Sequence, residues 1–235
     1  MYSLKRIEYK IPVLGQKQYI NPLKINSADA YDKRFQDLNP DPFVLKYNGE
    51  YYCYSSGKDG VPILHSKDLI SWQHLGYALK DDENKDYWAP AVIYENGVFY
   101  MYYSSIKVEE DDSHNEHMKV ATSKGPEGPF EYEKTLFDNF SIDAHVIKNE
   151  KNEHYLFYSV NDYCGIDWHR PGTIILCDRL IDMMTPEGNP RPVVFPTIDE
   201  EIFEKDRFHD GRDWHTIEGA FYINRKGRHY IMYSG

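Results

Sequence analysis

Apolar and polar positions alternate along this chain in short runs, and one run recurs four times. Residues 48–56 (NGEYYCYSS), 96–105 (NGVFYMYYSS), 152–160 (NEHYLFYSV) and 226–235 (KGRHYIMYSG) each open on a polar turn and continue as an aromatic strand. Three of the turns are Asn-Gly or Lys-Gly, whose glycine accepts the positive φ that a tight hairpin requires. A short apolar strand precedes each turn, at 43–46, 91–94, 145–148 and 220–223. Every unit therefore predicts strand, tight turn, strand.

Further strands follow in the first three units. Residues 62–65 lead into 66–72 (SKDLISW), 119–122 into 123–130, and 173–177 into 178–180. The repeated Tyr residues Tyr54, Tyr103, Tyr158 and Tyr233 are spaced by 49, 55 and 75 residues. Four-strand units at roughly 50-residue spacing predict an all-β propeller rather than a generic antiparallel sandwich, which would not repeat internally. Residues 186–213, rich in Pro and charge, widen the last gap and are expected to form a loop across one face. No linker or low-complexity stretch divides the chain, so residues 1–235 read as a single domain.

Composition narrows the function. The chain has 235 residues, 27 Lys and Arg against 38 Asp and Glu, and a formal net charge of −11. That balance disfavours nucleic acid as a partner, because phosphates would be repelled over most of the surface. No run approaches the ~18 apolar residues that span a bilayer, so no membrane partner is expected. Residues 1–10 carry scattered charge and no apolar core, so they do not read as a secretory leader. Three cysteines, Cys53, Cys164 and Cys177, lack metal-ligand spacing and read as reduced thiols of a cytoplasmic protein. The 21 Tyr suit strands and sugar-binding surfaces, since the ring packs while the hydroxyl bonds.

Aligning the units on their first strands reaches the chemistry. With Val44, Val92, Val146 and Phe221 taken as equivalent, the residues three places earlier are Asp41, Ala89, Asp143 and Glu218. In a propeller the first strand of each unit lines the central channel. Three carboxylates are thus expected around one channel mouth. Like charges so clustered raise one another's pKa, which a purely structural channel has no use for. Glycoside hydrolysis uses such a set, with one carboxylic acid protonating the departing oxygen and a carboxylate activating water or attacking the sugar. The alternative is that each acid caps a loop or pairs with a base such as Arg212.

The segments 39–44 (NPDPFV), 88–92 (WAPAV), 142–145 (IDAH) and 217–220 (IEGA), with the 66–72 signature, resemble glycoside hydrolase family 43. The resemblance runs from about Asn39 to Gly235. It implies a five-bladed propeller acting with inversion on xylose- or arabinose-containing glycans, as β-xylosidase, α-L-arabinofuranosidase or arabinanase. Asp41 would be the general base, Asp143 the group that tunes and orients the acid, and Glu218 the general acid. Inversion would set base and acid roughly 6.5–9.5 Å apart, leaving room for water. The partner would be a pentose-containing oligosaccharide, and the chain could form a homo-oligomer. No cofactor is required for the chemistry. Family members hold a channel cation, often calcium, near a fifth-blade histidine for which this sequence has no position. The 197 residues from Asn39 onward amount to about three and a half blades, so the catalytic domain is expected to be incomplete at its C-terminus. Two other readings stay open, namely a catalytically silent carbohydrate-binding propeller and an endo-acting arabinanase.

Five further features carry expectations. Trp88 could stack on a sugar face and Phe43 could line the same pocket, or both could pack in the core. Trp72 fits an outer strand. The run from His209 to His215 (HDGRDWH) offers two His and two Asp, but its spacing matches no helical ligand pair. It is read as an active-site rim, with His215 as a substrate contact and no metal. The acidic run Glu109-Glu110-Asp111-Asp112 reads as a solvated loop.

Overall fold

The computed structural model describes residues 25–26, 39–165 and 169–235. The 1–10 segment read above for a leader lies outside them. Among the described residues there is no α-helix, only strands and two three-residue 3-10 turns. Among the described residues no helix is long and apolar enough to cross a membrane.

The strands fall into four sheets in chain order. The first holds β1 (Ile25–Asn26), β2 (Phe43–Tyr47), β3 (Glu50–Tyr54), β4 (Val61–Ser66) and β5 (Trp72–Leu79), ordered β1-β5-β4-β3-β2. The second holds β6 (Asn84–Glu95), β7 (Val98–Lys107), β8 (His117–Ser123) and β9 (Glu131–Thr135) in sequence order. The third is built on β10 (Ile142–Lys148), β11 (His154–Asp162) and β12 (Gly172–Asp182). Two short strands, β13 (Thr185–Pro186) and β14 (Arg191–Val194), pair with β12. The same sheet continues through β15 (Ile202–Glu204) and β16 (Trp214–His215). The fourth is the hairpin of β17 (Glu218–Arg225) and β18 (Arg228–Ser234). Neighbours are antiparallel except β1 with β5 and β12 with β16, which run parallel.

The hairpin signals act as the sequence implies. Asn48-Gly49, Asn96-Gly97 and Lys226-Gly227 all take positive φ at both central residues. That is the primed turn whose twist matches the flanking strands.

Apolar residues fill the spaces between successive sheets. Tyr54, Ile63, Val92, Phe99 and Met101 pack between the first and second. Tyr102, Met118, Val120, Leu156 and Ile174 pack between the second and third. Phe157, Ile175, Ile217 and Ala220 join the third to the fourth. Both faces of the second and third sheets are thereby covered, and in the first sheet β4 is buried at five of its six positions. Buried Tyr hydroxyls need partners, and two of them find one in the next sheet's backbone. Tyr54 donates to the Pro126 carbonyl at 2.5 Å, and Tyr102 to the Met183 carbonyl at 2.6 Å. Tyr52, Tyr54, Tyr87, Tyr102, Tyr103 and Tyr158 belong to this core. Inner strands β2, β6, β10 and β17 pack side by side in that order, around the channel that the repeat predicts for a propeller.

Residues 186–213 differ from the expected loop. Part of the segment becomes β14, with Val194 opposite Ile175 and Arg191 opposite Cys177, and part becomes β15. Val193 and Val194 favour strand, and Pro192 is tolerated because β14 is an edge.

Candidate active site

A backbone kink places the acids. Asp41, Ala89 and Asp143 all take left-handed φ values, 52°, 40° and 59°. Residues other than glycine enter this region rarely and carry strain of about 1–3 kcal/mol there. In the fourth sheet the kink falls one residue later, at Gly219 with φ 67°. Pairing also slips at this point, between Trp88 and Ala91, between Ile142 and His145, and between Glu218 and Phe221. Such a bulge bends the strand and re-aims a side chain out of the pleat. Asp41, Asp143 and Glu218 consequently face one cavity of about 330 Å³, walled also by Phe43, His145 and Phe221.

The three carboxyls are held differently. Asp41 is exposed, and Ser56 Oγ donates to its Oδ2 at 2.5 Å. Ser56 in turn accepts the Ala89 N–H at 2.8 Å. The unit without an acid thus still contributes, through its backbone, to placing Asp41. Asp143 is half-buried and accepts the Gly219 N–H at 2.9 Å. Burial above all, then the charges of Glu218 and Asp41, push its carboxyl up to about 7, against the pull of that N–H. Glu218 is raised by burial and then by Asp41. Carboxyls coupled in this way titrate as a set rather than singly.

The approach to Glu218 is stapled to the third sheet. Thr173 Oγ1 donates to the Ile217 carbonyl and accepts the Ile217 N–H, both at 2.7 Å and both buried. The Thr216 N–H donates to the Glu201 carbonyl at 2.9 Å.

A second cavity, about 580 Å³, meets the first at Glu218. Its wall is aromatic, with Trp88, Phe140, Tyr163, Phe203, Phe208 and Trp214. Asn161, Arg207 and His114 add polar groups. Rings interleaved with hydrogen-bonding side chains are what a sugar presents a need for, since its faces are apolar and its edges carry hydroxyls. Trp88 therefore stands on the cleft and Phe43 on the channel cavity.

His215 is not brought to either cavity, contrary to the expected substrate contact. It is buried in β16, where its N–H donates to the Pro171 carbonyl at 3.1 Å and its Nε2 accepts from Arg170 at 3.2 Å. The cause is the parallel crossing at Gly172, where any Cβ would come within 2.0 Å of the His215 carbonyl oxygen. Trp214, its neighbour, takes the cleft position instead. The rest of the run makes local contacts, including Arg212 to Asp210 at 2.6 Å and to the Tyr163 carbonyl at 3.0 Å. In the acidic run, Glu109, Asp111 and Asp112 are exposed, and Asp112 also lines the cleft beside His114.

Among the described residues no three His, Cys, Asp or Glu side chains form a ligand group. His145 is packed 4.5 Å from the Phe221 ring, and burial lowers its pKa to about 4.

Sequence reasoning missed Ser56, Thr173, Tyr163, Phe203 and Arg207. A signal existed only for Ser56, which follows the Tyr-Ser mark as an additional serine.

Known proteins resemble this chain over half of its length or more. The β-xylosidase of Bacillus subtilis (strain 168) is 26% identical over 198 residues, 78% of this chain and 37% of the relative. A non-reducing end α-L-arabinofuranosidase of Bacteroides ovatus is 28% identical over 130 residues, 50% of this chain and 22% of the relative. The chain thus spans well under half the length of either. The crystal structure of a thermostable family-43 glycoside hydrolase superposes with a TM-score of 0.68 at 29% identity, covering 83% of this chain and 63% of that one. Fold and inner-strand order agree with the propeller expectation. The family model for glycosyl hydrolases family 43 matches residues 35–235, and the chain belongs to that family.

Proposed function

We propose that the chain carries the catalytic centre of an inverting glycoside hydrolase that releases xylose or arabinose from the ends of short oligosaccharides. Asp41 is the general base: it takes a proton from water as the water oxygen bonds to the anomeric carbon. Glu218 is the general acid: it gives its proton to the glycosidic oxygen as that bond breaks. Asp143 holds the acid in place and keeps a proton in the pair at neutral pH, as raised carboxyls do in such centres.

One observation carries this reading. Three carboxyls from three different sheets face one cavity, and the most interior two are both pushed upward. The strain stored in the Asp41 and Asp143 backbones supports it further, since such strain concentrates where geometry serves chemistry. The names of the two relatives support a pentoside as substrate.

The test is turnover of 4-nitrophenyl β-D-xyloside and 4-nitrophenyl α-L-arabinofuranoside, with proton NMR of the first sugar released. Inverted anomeric configuration is expected, and retention would instead require a nucleophile. Linear arabinan should yield monosaccharide only. Glycan binding in calorimetry without any released sugar would favour a silent carbohydrate-binding propeller.

A further inference from the structure

The cleft beyond Glu218 is bridged by a contact between distant parts of the chain. Arg207, from the segment after β15, donates through Nη2 to His114 Nε2 at 2.6 Å. His114 stands in the 3-10 turn between β7 and β8, and its Nδ1 lies 2.6 Å from Asp112 Oδ1. A guanidinium can only donate, so Nε2 is the acceptor and Nδ1 carries the hydrogen given to Asp112. The carboxylate thereby fixes the imidazole orientation that receives Arg207.

The guanidinium also lies over three rings, 5.8 Å from Phe203, 5.8 Å from Phe208 and 5.6 Å from Trp214. Glu204 approaches its Nη1 at 3.4 Å. Five-donor arginine is thus held by rings beneath and acceptors at two edges, and its side chain remains part of the cleft wall. A side chain so fixed loses little entropy when it binds a further hydroxyl.

Position assigns the part of the substrate it meets. Asp41 and Asp143 line the channel cavity but not the cleft, whereas Glu218 lines both. In inversion the water and the base lie on one side of the reacting sugar, and the acid protonates the oxygen leaving on the other. The space beyond the acid then receives the leaving group. We propose that Arg207, braced by His114 and its aromatic platform, is a specificity-determining residue that hydrogen-bonds the hydroxyls of the leaving-group sugar. The inference rests on the hydrolase reading for the side of the cleft it names.

The test compares leaving groups with and without sugar hydroxyls. Arg207→Met keeps an unbranched stem over the rings, and Arg207→Lys keeps the charge without the fork. Thermal melting establishes that each variant is folded. Steady-state rates are measured on xylobiose against 4-nitrophenyl β-D-xyloside, or on α-1,5-arabinobiose against the nitrophenyl arabinofuranoside. The ratio of kcat/KM for the disaccharide to that for the nitrophenyl glycoside should fall about tenfold or more in Arg207→Met, the effect of losing charged hydrogen bonds. Arg207→Lys should fall between. An unchanged ratio would overturn the proposal, whether both rates drop together or neither does.

Calorimetry with xylobiose and arabinobiose reads the same claim without turnover. Binding at least tenfold weaker in Arg207→Met is expected, and equal affinity would overturn it. Should the parent cleave neither nitrophenyl glycoside yet bind a disaccharide through Arg207, the hydrolase reading fails while recognition by this residue stands.

Discussion

The N–H of Gly219 donates to Asp143 Oδ2 at 2.9 Å, so the residue after Glu218 is bonded to the carboxylate of the neighbouring sheet. A kink in one strand thereby locks onto an acid delivered by a kink in another. The bond favours ionised Asp143, but burial and the charges of Glu218 and Asp41 outweigh it and leave the carboxyl raised to about 7. The folded protein then binds this proton more tightly than the unfolded chain does. Stability from Asp143 is fully present below the unfolded carboxyl pKa and is lost as pH rises through about 7. Asp143→Asn removes that dependence. Thermal melts at pH 5 and pH 8 should show the variant gaining on the parent at the higher pH, and a gain at the lower pH would contradict the assignment.

Asp41→Asn and Glu218→Gln should each lower kcat on a disaccharide by about a hundred- to ten-thousand-fold, the usual range for a lost acid or base. Their effects should separate on a nitrophenyl glycoside. Nitrophenolate departs without a proton, so Glu218→Gln should lose much less there than Asp41→Asn. Equal losses on both substrates would exchange or dissolve the two roles.

Ser56 couples Asp41 to the backbone of the second sheet by donating to one and accepting from the other. Ser56→Ala leaves the base free to turn. A fall of about tenfold in kcat is expected, corresponding to about 1–1.5 kcal/mol for the lost hydrogen bonds. KM should change little, because the hydroxyl touches the base and not the cleft. A shift confined to KM would place Ser56 on the substrate instead.

Thr173→Val keeps the shape of a buried side chain and removes both hydrogen bonds to Ile217. Two buried backbone groups lose their partner, at a cost of about 1–3 kcal/mol. Chemical denaturation should show that loss, and turnover should fall with it because Glu218 is the next residue. Unchanged stability would mean that water replaces the hydroxyl.

Much of the fold is legible in the sequence because its determinants are local. Asn48-Gly49 and Asn96-Gly97 specify their turns by themselves, and the alternating Tyr residues reveal which faces are buried. The register of Asp41, Asp143 and Glu218 follows from counting back along like strands. What could not be read depends on contacts distant in sequence. The left-handed backbone of Asp41 and Asp143 has no residue signature in the repeat, since Ala89 adopts it as well. His215 looked like a rim residue, and only its crossing with Gly172 draws it into the sheet. Arg207 meets His114 across 93 positions because two sheets stand side by side. The 186–213 segment read as loop because strands of three or four residues leave too short a pattern.

Ala89 shares the kink of its acidic counterparts, at φ 40°. Conformation and side-chain identity are therefore separable at this position of the repeat. A backbone that already presents residue 89 to the cavity lets one substitution change which functional group is presented while the strands keep their register. Such a ring behaves as a set of interchangeable mounts. New chemistry could be sampled at one mount without first inventing the geometry to display it.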